Sequence, residues 1–123
     1  LASQGKKMGI LSNSFEGHAN IILENLKLRQ YFLSVIDCGV VHAFKPMRAP
    51  FERVLSDLNI EPTDALYVGD EYYADIVGAS AVGMSTLWIN SRNYSLEDQI
   101  TKYGARTSPD YVTTSIAEFA ELL

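Results

Sequence analysis

Only one cysteine, Cys38, occurs in the 123 residues, so no disulfide can form within the chain, and a reducing cytoplasm is the compartment that fits. No apolar run approaches the roughly 18 residues of a membrane-spanning helix, and the start lacks the charged, apolar and small-residue succession of a signal peptide, so no membrane partner is expected. Positive charge is scarce as well: 10 Lys and Arg stand against 15 Asp and Glu, for a net charge of -5. Without a basic patch to answer a phosphate backbone, nucleic acid is not expected as a partner. Repeats, low-complexity tracts, interdomain linkers, zinc-ligand spacings and a Gly-x-Ser-x-Gly elbow are all missing.

What remains is an ordinary globular composition, 47% hydrophobic and 20% charged. A chain of this size is expected to form one domain, residues 1–123, that buries about two thirds of its unfolded surface. It opens at Leu1 rather than at a methionine, and Leu1 to Lys7 reads as the tail of a helix stopped at Gly5. The chain is therefore expected to begin in the middle of a fold.

The organising stretch is Ala65 to Met84. Ala65 to Val68 is a short apolar run that predicts a buried parallel strand, Gly69 lets the backbone turn, and Asp70 stands where the strand ends. Asp75, Ile76, Val77, Ala79 and Val82 then follow helical spacing, with Gly83 as a left-handed stop. Two carboxylates thus flank one turn at the carboxyl edge of a sheet, where open α/β sheets bind ligands. Held within about 5 Å, Asp70 and Asp75 would repel by roughly 3 kcal/mol at an effective dielectric near 20, a penalty that a divalent cation removes. Magnesium suits such a place, since it takes one or two carboxylates and keeps several waters. The plainer alternative is that Asp70 caps the helix and Asp75 is a solvated first-turn acid.

Strands alternate with helices along the rest of the chain, predicting a parallel sheet in a three-layer α/β sandwich. Met8 to Leu11 is a strand ending at Ser12 and Asn13. His18 to Lys27 is a helix with Ala19, Ile22, Leu23 and Leu26 inward, and His18 is a surface residue. Ser34 to Asp37 is a second strand, followed by a loop to Lys45-Pro46. The proline holds Lys45 in that loop. Pro50 suits a first helical position, ahead of the Phe51, Val54, Leu55 and Leu58 stripe. Ser85 to Ile89 is a strand with Trp88 half-buried. The polar region Asn90 to Ser108 holds a helix over Ser95 to Lys102, Tyr111 and Val112 form a last strand, and Ser115 with Glu118 has capping-box spacing ahead of a helix with Phe119 and Leu122 inward.

Ser12 with Asn13, Lys45 nearby in a loop, and Asp70 with Asp75 therefore lie at three strand ends. A hydroxyl and an amide donor, an ammonium and a metal-binding carboxylate pair suit a phosphoryl group, whose transfer depends on positioning and on neutralising spread negative charge. Each signal has an ordinary structural reading: a Ser-Asn turn, a solvated lysine, a helix cap. In this order, each at a strand end, they are specific together.

The chain here resembles the haloacid dehalogenase-like (HAD-like) hydrolase superfamily. The likeness runs from Gly9-Ile10-Leu11-Ser12-Asn13 through Tyr31-Phe32 and Lys45-Pro46 to Val68-Gly69-Asp70 with Asp75, Gly78-Ala79 and Gly83-Met84. It implies a Rossmann-like core in which Ser12 and Asn13 contact phosphate, Lys45 steadies the phosphoryl group and the nucleophile, Asp70 binds magnesium, and Asp75 supports metal or lysine. The implied substrate is a small phosphorylated metabolite. The chain departs from the family's pattern at Glu71, Ala74, Met47 and Arg48, where small polar or acidic residues and an asparagine are more usual. The larger departure is that no Asp-x-Asp strand, the family's source of an aspartate nucleophile and acid/base, precedes Met8. In the family that strand lies between the ones placed at Met8 to Leu11 and Ala65 to Val68, and a cap domain usually follows it. The resemblance therefore implies the carboxyl-terminal portion of a longer hydrolase, inactive by itself. A metal-free 2-haloacid dehalogenase, and a non-catalytic binding module on the same scaffold, are the alternatives. A phospho-receiver module fits less well, since there the acids come first and the lysine last. Cys38 with His42 has no local feature that lowers a thiol pKa, so Cys38 reads as a buried structural residue.

Overall fold

The computed structural model describes residues 5–15 and 17–121, which fall into two compact units divided between Glu61 and Pro62. Most of the expected opening helix tail, Leu1 to Gln4, lies outside the described residues. Gly5 itself has φ 77°, the left-handed setting of a helix stop.

The first unit is built on a parallel ladder of β1 (Gly9–Ser12) and β2 (Ser34–Asp37). β2 occupies the residues expected of it, and β1 starts and ends one residue later than expected. Ser12 pairs opposite Asp37, so both strands end level and the loops after them start side by side. Between them α1 (His18–Asn25) packs on β2 through the buried Ala19 and Leu23, with His18 at the surface as expected. Ile22 and Leu26, expected inward, are exposed. The helix ends at Asn25 and shows the ladder a stripe only one residue per turn wide, which leaves Ile22 on its flank.

α2 (Arg48–Leu58) lies against both strands and buries Phe51, Val54, Leu55 and Leu58, the predicted stripe. Each such side chain contributes about 1.5–3 kcal/mol when fully buried. The helix begins two residues before the expected Pro50. At the third position the proline's missing N–H costs no intrahelical bond, because the first four N–H groups have no partner within the helix. Gly9 is what lets α2 approach β1 so closely: a Cβ there would lie 2.9 Å from Val54 Cγ2. Asn59, at φ 53°, ends the helix, and Lys7 Nζ donates to the Leu58 carbonyl at 3.0 Å.

The second unit carries a parallel ladder in the order β3 (Leu66–Gly69), β4 (Ser85–Ile89), β5 (Tyr111–Thr113). β1 and β3 belong to separate ladders. β3 is less buried than expected, with Leu66 exposed, because it takes the outer place in its ladder and β4 takes the middle. Trp88, expected half-buried, is wholly buried. Its indole N–H donates to the Asp70 carbonyl at 3.0 Å, so the polar end of the ring needs no water. Tyr72 meets the Trp88 ring edge-on with centroids 5.0 Å apart, and the two form a core with Ile76, flanked by Val77, Leu96 and Tyr103.

The helix after β3 opens as a π-helical segment, Tyr72–Val77, and continues as α3 (Gly78–Ala81). Gly83 ends it at φ 92°, as expected. α4 (Leu96–Tyr103) is capped by Ser95, whose Oγ accepts the Asp98 N–H at 3.2 Å. Before α5 (Ile116–Glu121) the Ser115 hydroxyl accepts the Glu118 N–H at 3.1 Å. Glu118 Oε2 in turn accepts the Thr114 hydroxyl at 2.6 Å, one residue before the place a capping box would use. Phe119, expected inward, is half-buried, and Leu122 lies outside the described residues. Among the described residues no helix is long and apolar enough to cross a membrane.

Candidate functional site

In the first unit Ser12 closes β1 and opens the loop that carries Asn13 and Ser14. The Asn13 amide binds Lys45 on both sides of its backbone: Oδ1 accepts the Lys45 N–H at 2.8 Å, and Nδ2 donates to the Lys45 carbonyl at 3.4 Å. The lysine is thereby tied to the end of β1, and its Nζ donates to the Leu11 carbonyl at 3.3 Å. Ser12, Asn13 and Lys45, which lie up to 33 places apart in sequence, are thus brought together. The Asn13 amide, expected to contact phosphate, is engaged in holding the lysine.

A fourth group in this cluster was not singled out from the sequence. Asp37, the last residue of β2, is buried, and its Oδ1 accepts the Ser14 hydroxyl at 2.5 Å and the Ala19 N–H at 3.0 Å. The latter bond caps α1, whose own cap residue, Gly17, has no side chain to do so. The Ser14 and Ser12 hydroxyls lie 2.8 Å apart.

In the second unit the two acids differ sharply. Asp70 is exposed, whereas Asp75 is buried. Asp75 turns back over the end of β3: its Oδ2 accepts the Glu71 N–H at 3.1 Å and its Oδ1 the Tyr67 hydroxyl at 3.4 Å. Gly69 makes room for it, since a Cβ at Gly69 would fall 2.4 Å from the Asp75 carboxylate. That close approach is the reason for the glycine; among the described glycines, positive φ is confined to Gly5, Gly17, Gly83 and Gly104, so Gly69 is not there for a left-handed turn. Asp75 sits in the π-helical segment, a local widening often found at functional sites.

Arg92, in the loop after β4, was also not singled out from the sequence. Its Nη2 lies 2.7 Å from Glu71 Oε1 and 3.7 Å from Asp70 Oδ2. The Glu71 hydrogen bond, and then Tyr94, push the guanidinium pKa still higher than usual, so the group stays charged wherever the protein folds. All three side chains are about half exposed, so the pairs contribute little to stability and chiefly set the local charge. Arg48, one of the chain's departures from the family's pattern, forms a 3.8 Å pair with Glu52 one turn along α2. Cys38 is fully buried, as a structural cysteine should be.

The sequence model for haloacid dehalogenase-like hydrolases matches residues 1–89. The chain belongs to this family. It is 32% identical over 125 residues to the glyceraldehyde 3-phosphate phosphatase of Pyrococcus furiosus, an alignment covering 100% of this chain and 50% of that protein. It is 29% identical over 118 residues to the pyrimidine 5′-nucleotidase YjjG of Escherichia coli, covering 95% of this chain and 49% of that one. The crystal structure of a HAD phosphatase from Thermococcus onnurineus superposes with a TM-score of 0.81 at 29% identity, over 98% of this chain and 51% of the other. The chain spans about half the length of the curated relatives it matches. The parallel α/β architecture expected from the sequence is the HAD-like fold these neighbours share.

Whether a HAD-like hydrolase built from these residues can take a divalent cation is a matter of donor chemistry. Asp70 presents a hard, exposed carboxylate, and magnesium requires only one or two of these if it keeps its waters. Among the described residues no three His, Cys, Asp or Glu side chains cluster so as to hold a metal. The fit therefore rests on Asp70 with water and substrate oxygens, and Asp75 fits as the buried group that fastens the Gly69 to Glu71 turn.

Proposed function

We propose that the intact protein is a magnesium-dependent phosphohydrolase of the HAD-like type, acting on a small phosphate ester through an aspartyl-phosphate whose nucleophile comes from outside residues 1–123. Those residues serve it as one core-domain fragment, inactive without that nucleophile. The observation that carries this reading is the clasp of Asn13 on Lys45, which delivers an ammonium to the end of the strand closed by Ser12. A tethered cation beside a hydroxyl suits an anion whose charge is spread over several oxygens. The relatives' names, phosphatases of a triose phosphate and of a nucleotide, support phosphate esters as the substrate class.

In this reading Ser12 donates to a phosphoryl oxygen and Lys45 offsets the charge that develops on the phosphoryl group and nucleophile. Asn13 holds Lys45, Asp70 binds magnesium, and Asp75 keeps the Asp70 turn in place. When bound, magnesium supplies two positive charges against the phosphoryl oxygens. The lone, buried Cys38 is in keeping with work in a reducing cytoplasm. The test is Asp70→Asn in the intact protein, which keeps the side chain's size and removes its charge. Magnesium-dependent hydrolysis of an aryl phosphate is expected to fall by about two orders of magnitude or more, as when a single strong transition-state contact is lost. Unchanged hydrolysis and an unchanged magnesium requirement would show that the metal is held elsewhere.

A further inference from the structure

Asp37 is a buried carboxylate at the carboxyl end of β2 to which the proposed function gives no part. Its contacts set a direction. A carboxylate oxygen only accepts hydrogen bonds, and a serine hydroxyl has one proton to give. Both the Ala19 N–H and the Ser14 hydroxyl end on Asp37 Oδ1, at 3.0 and 2.5 Å. The Ser14 proton is thus committed to Asp37, and what Ser14 offers Ser12, 2.8 Å away, is a lone pair. The Ser12 proton then points at Ser14.

We propose that Ser14 and Asp37 are positioning residues that fix the Ser12 hydroxyl in a directed chain, Ser12 to Ser14 to Asp37, so that Ser12 can donate to a phosphoryl oxygen only by leaving Ser14. This rests on the reading of Ser12 as a phosphate contact and adds to it a built-in competitor for its proton. Phosphate binding exchanges one hydroxyl hydrogen bond for another, so the gain from Ser12 is the difference between the two. A small gain lets the phosphate product leave readily. The two serines are half-buried, and the carboxylate on which the chain ends is buried.

The experiment is competitive inhibition of the intact enzyme by inorganic phosphate, with thermal unfolding recorded for every variant. Removing the competitor in Ser14→Ala is expected to lower the inhibition constant on the order of threefold to tenfold, the size of one net hydrogen bond. Ser14→Thr keeps the hydroxyl and is expected to match the unaltered enzyme. Ser12→Ala is expected to raise the constant, and Ser12→Ala combined with Ser14→Ala is expected to match Ser12→Ala alone, because Ser14 acts only through Ser12. A merely structural Ser14 would shift both backgrounds equally. An inhibition constant at or above the unaltered value in Ser14→Ala, with Ser12→Ala weakened, overturns the chain and leaves the phosphate role of Ser12 standing. No change in Ser12→Ala removes that role, and the chain with it.

Discussion

Asp75 occupies the space where a side chain on Gly69 would be, and this single juxtaposition fixes the turn that carries Asp70. A methyl group at Gly69 would sit 2.4 Å from the Asp75 Cβ. Asp75 cannot yield without losing the Glu71 N–H and Tyr67 hydroxyl that it accepts. Gly69→Ala is therefore expected to destabilise the protein by roughly 2–3 kcal/mol, as overpacking of a closed site does. Urea unfolding measures it, and a loss below about 0.5 kcal/mol, the range of ordinary surface changes, would mean that the carboxylate moves aside freely. Tyr72 gives a pH-dependent counterpart. Burial lifts its phenol above the ordinary value of 10.0, while its hydrogen bond with Thr107 pulls the other way. The unfolded chain then gives up this proton first, so the contribution is complete below pH 10 and is lost as pH rises through the raised value. Against Tyr72→Phe, the unaltered protein is expected to lose melting temperature more steeply above about pH 10. Parallel curves would contradict this. At this scale the sequence disclosed residues whose place is locally visible, namely Ser12, Asn13 and Asp70 at strand ends and Lys45 before its proline. Asp37 and Arg92 were hidden because their partners come from elsewhere in the chain, 23 and 21 residues away for Ser14 and Glu71. Gly69 was legible as a necessary glycine, but its reason, a close approach, appears only in three dimensions.

Elements were most legible where hydrophobic period and punctuation agree. β2 and β4 lie on the residues expected of them, and the four-residue stripe of α2 is buried throughout. The segment after β3 was harder. Small residues at helical spacing announced a helix, yet nothing local distinguishes a π-helical opening at Tyr72 from an ordinary first turn. The full burial of Trp88 was hidden for a related reason. Trp88 is covered because the Asp70 carbonyl and Tyr72 reach it, and neither is a sequence neighbour. α4 offers a direct test at this scale. It buries no residue completely, so its Ser95 cap carries an unusual share of its stability. Ser95→Ala is expected to cost about 1 kcal/mol and to speed amide exchange in the first turn of α4. A cost near zero would mean that the Asp98 N–H finds an equivalent partner in water.

The chain as a whole belongs to a family whose relatives are about twice as long, and the two compact units each gather polar groups at the carboxyl ends of parallel strands. In the first these are Ser12, Asn13, Asp37 and Lys45, and in the second Asp70, Asp75 and Arg92. Family and fold were legible because these groups recur at strand ends in a fixed order, although each has an ordinary structural reading alone. Substrate choice was not legible, since no residue at either strand edge distinguishes one phosphate ester from another by a contact the sequence spells out. The most direct measurement of the proposed chemistry is turnover of an aryl phosphate by the intact protein, compared between the unaltered enzyme and Lys45→Met, each with magnesium and with the metal chelated. Lys45→Met keeps the stem of the side chain and the backbone bonds to Asn13 while deleting the charge. Turnover is expected to need magnesium and to drop about a hundredfold or more in Lys45→Met. Turnover that survives both chelation and loss of the ammonium would contradict the phosphohydrolase assignment of these residues.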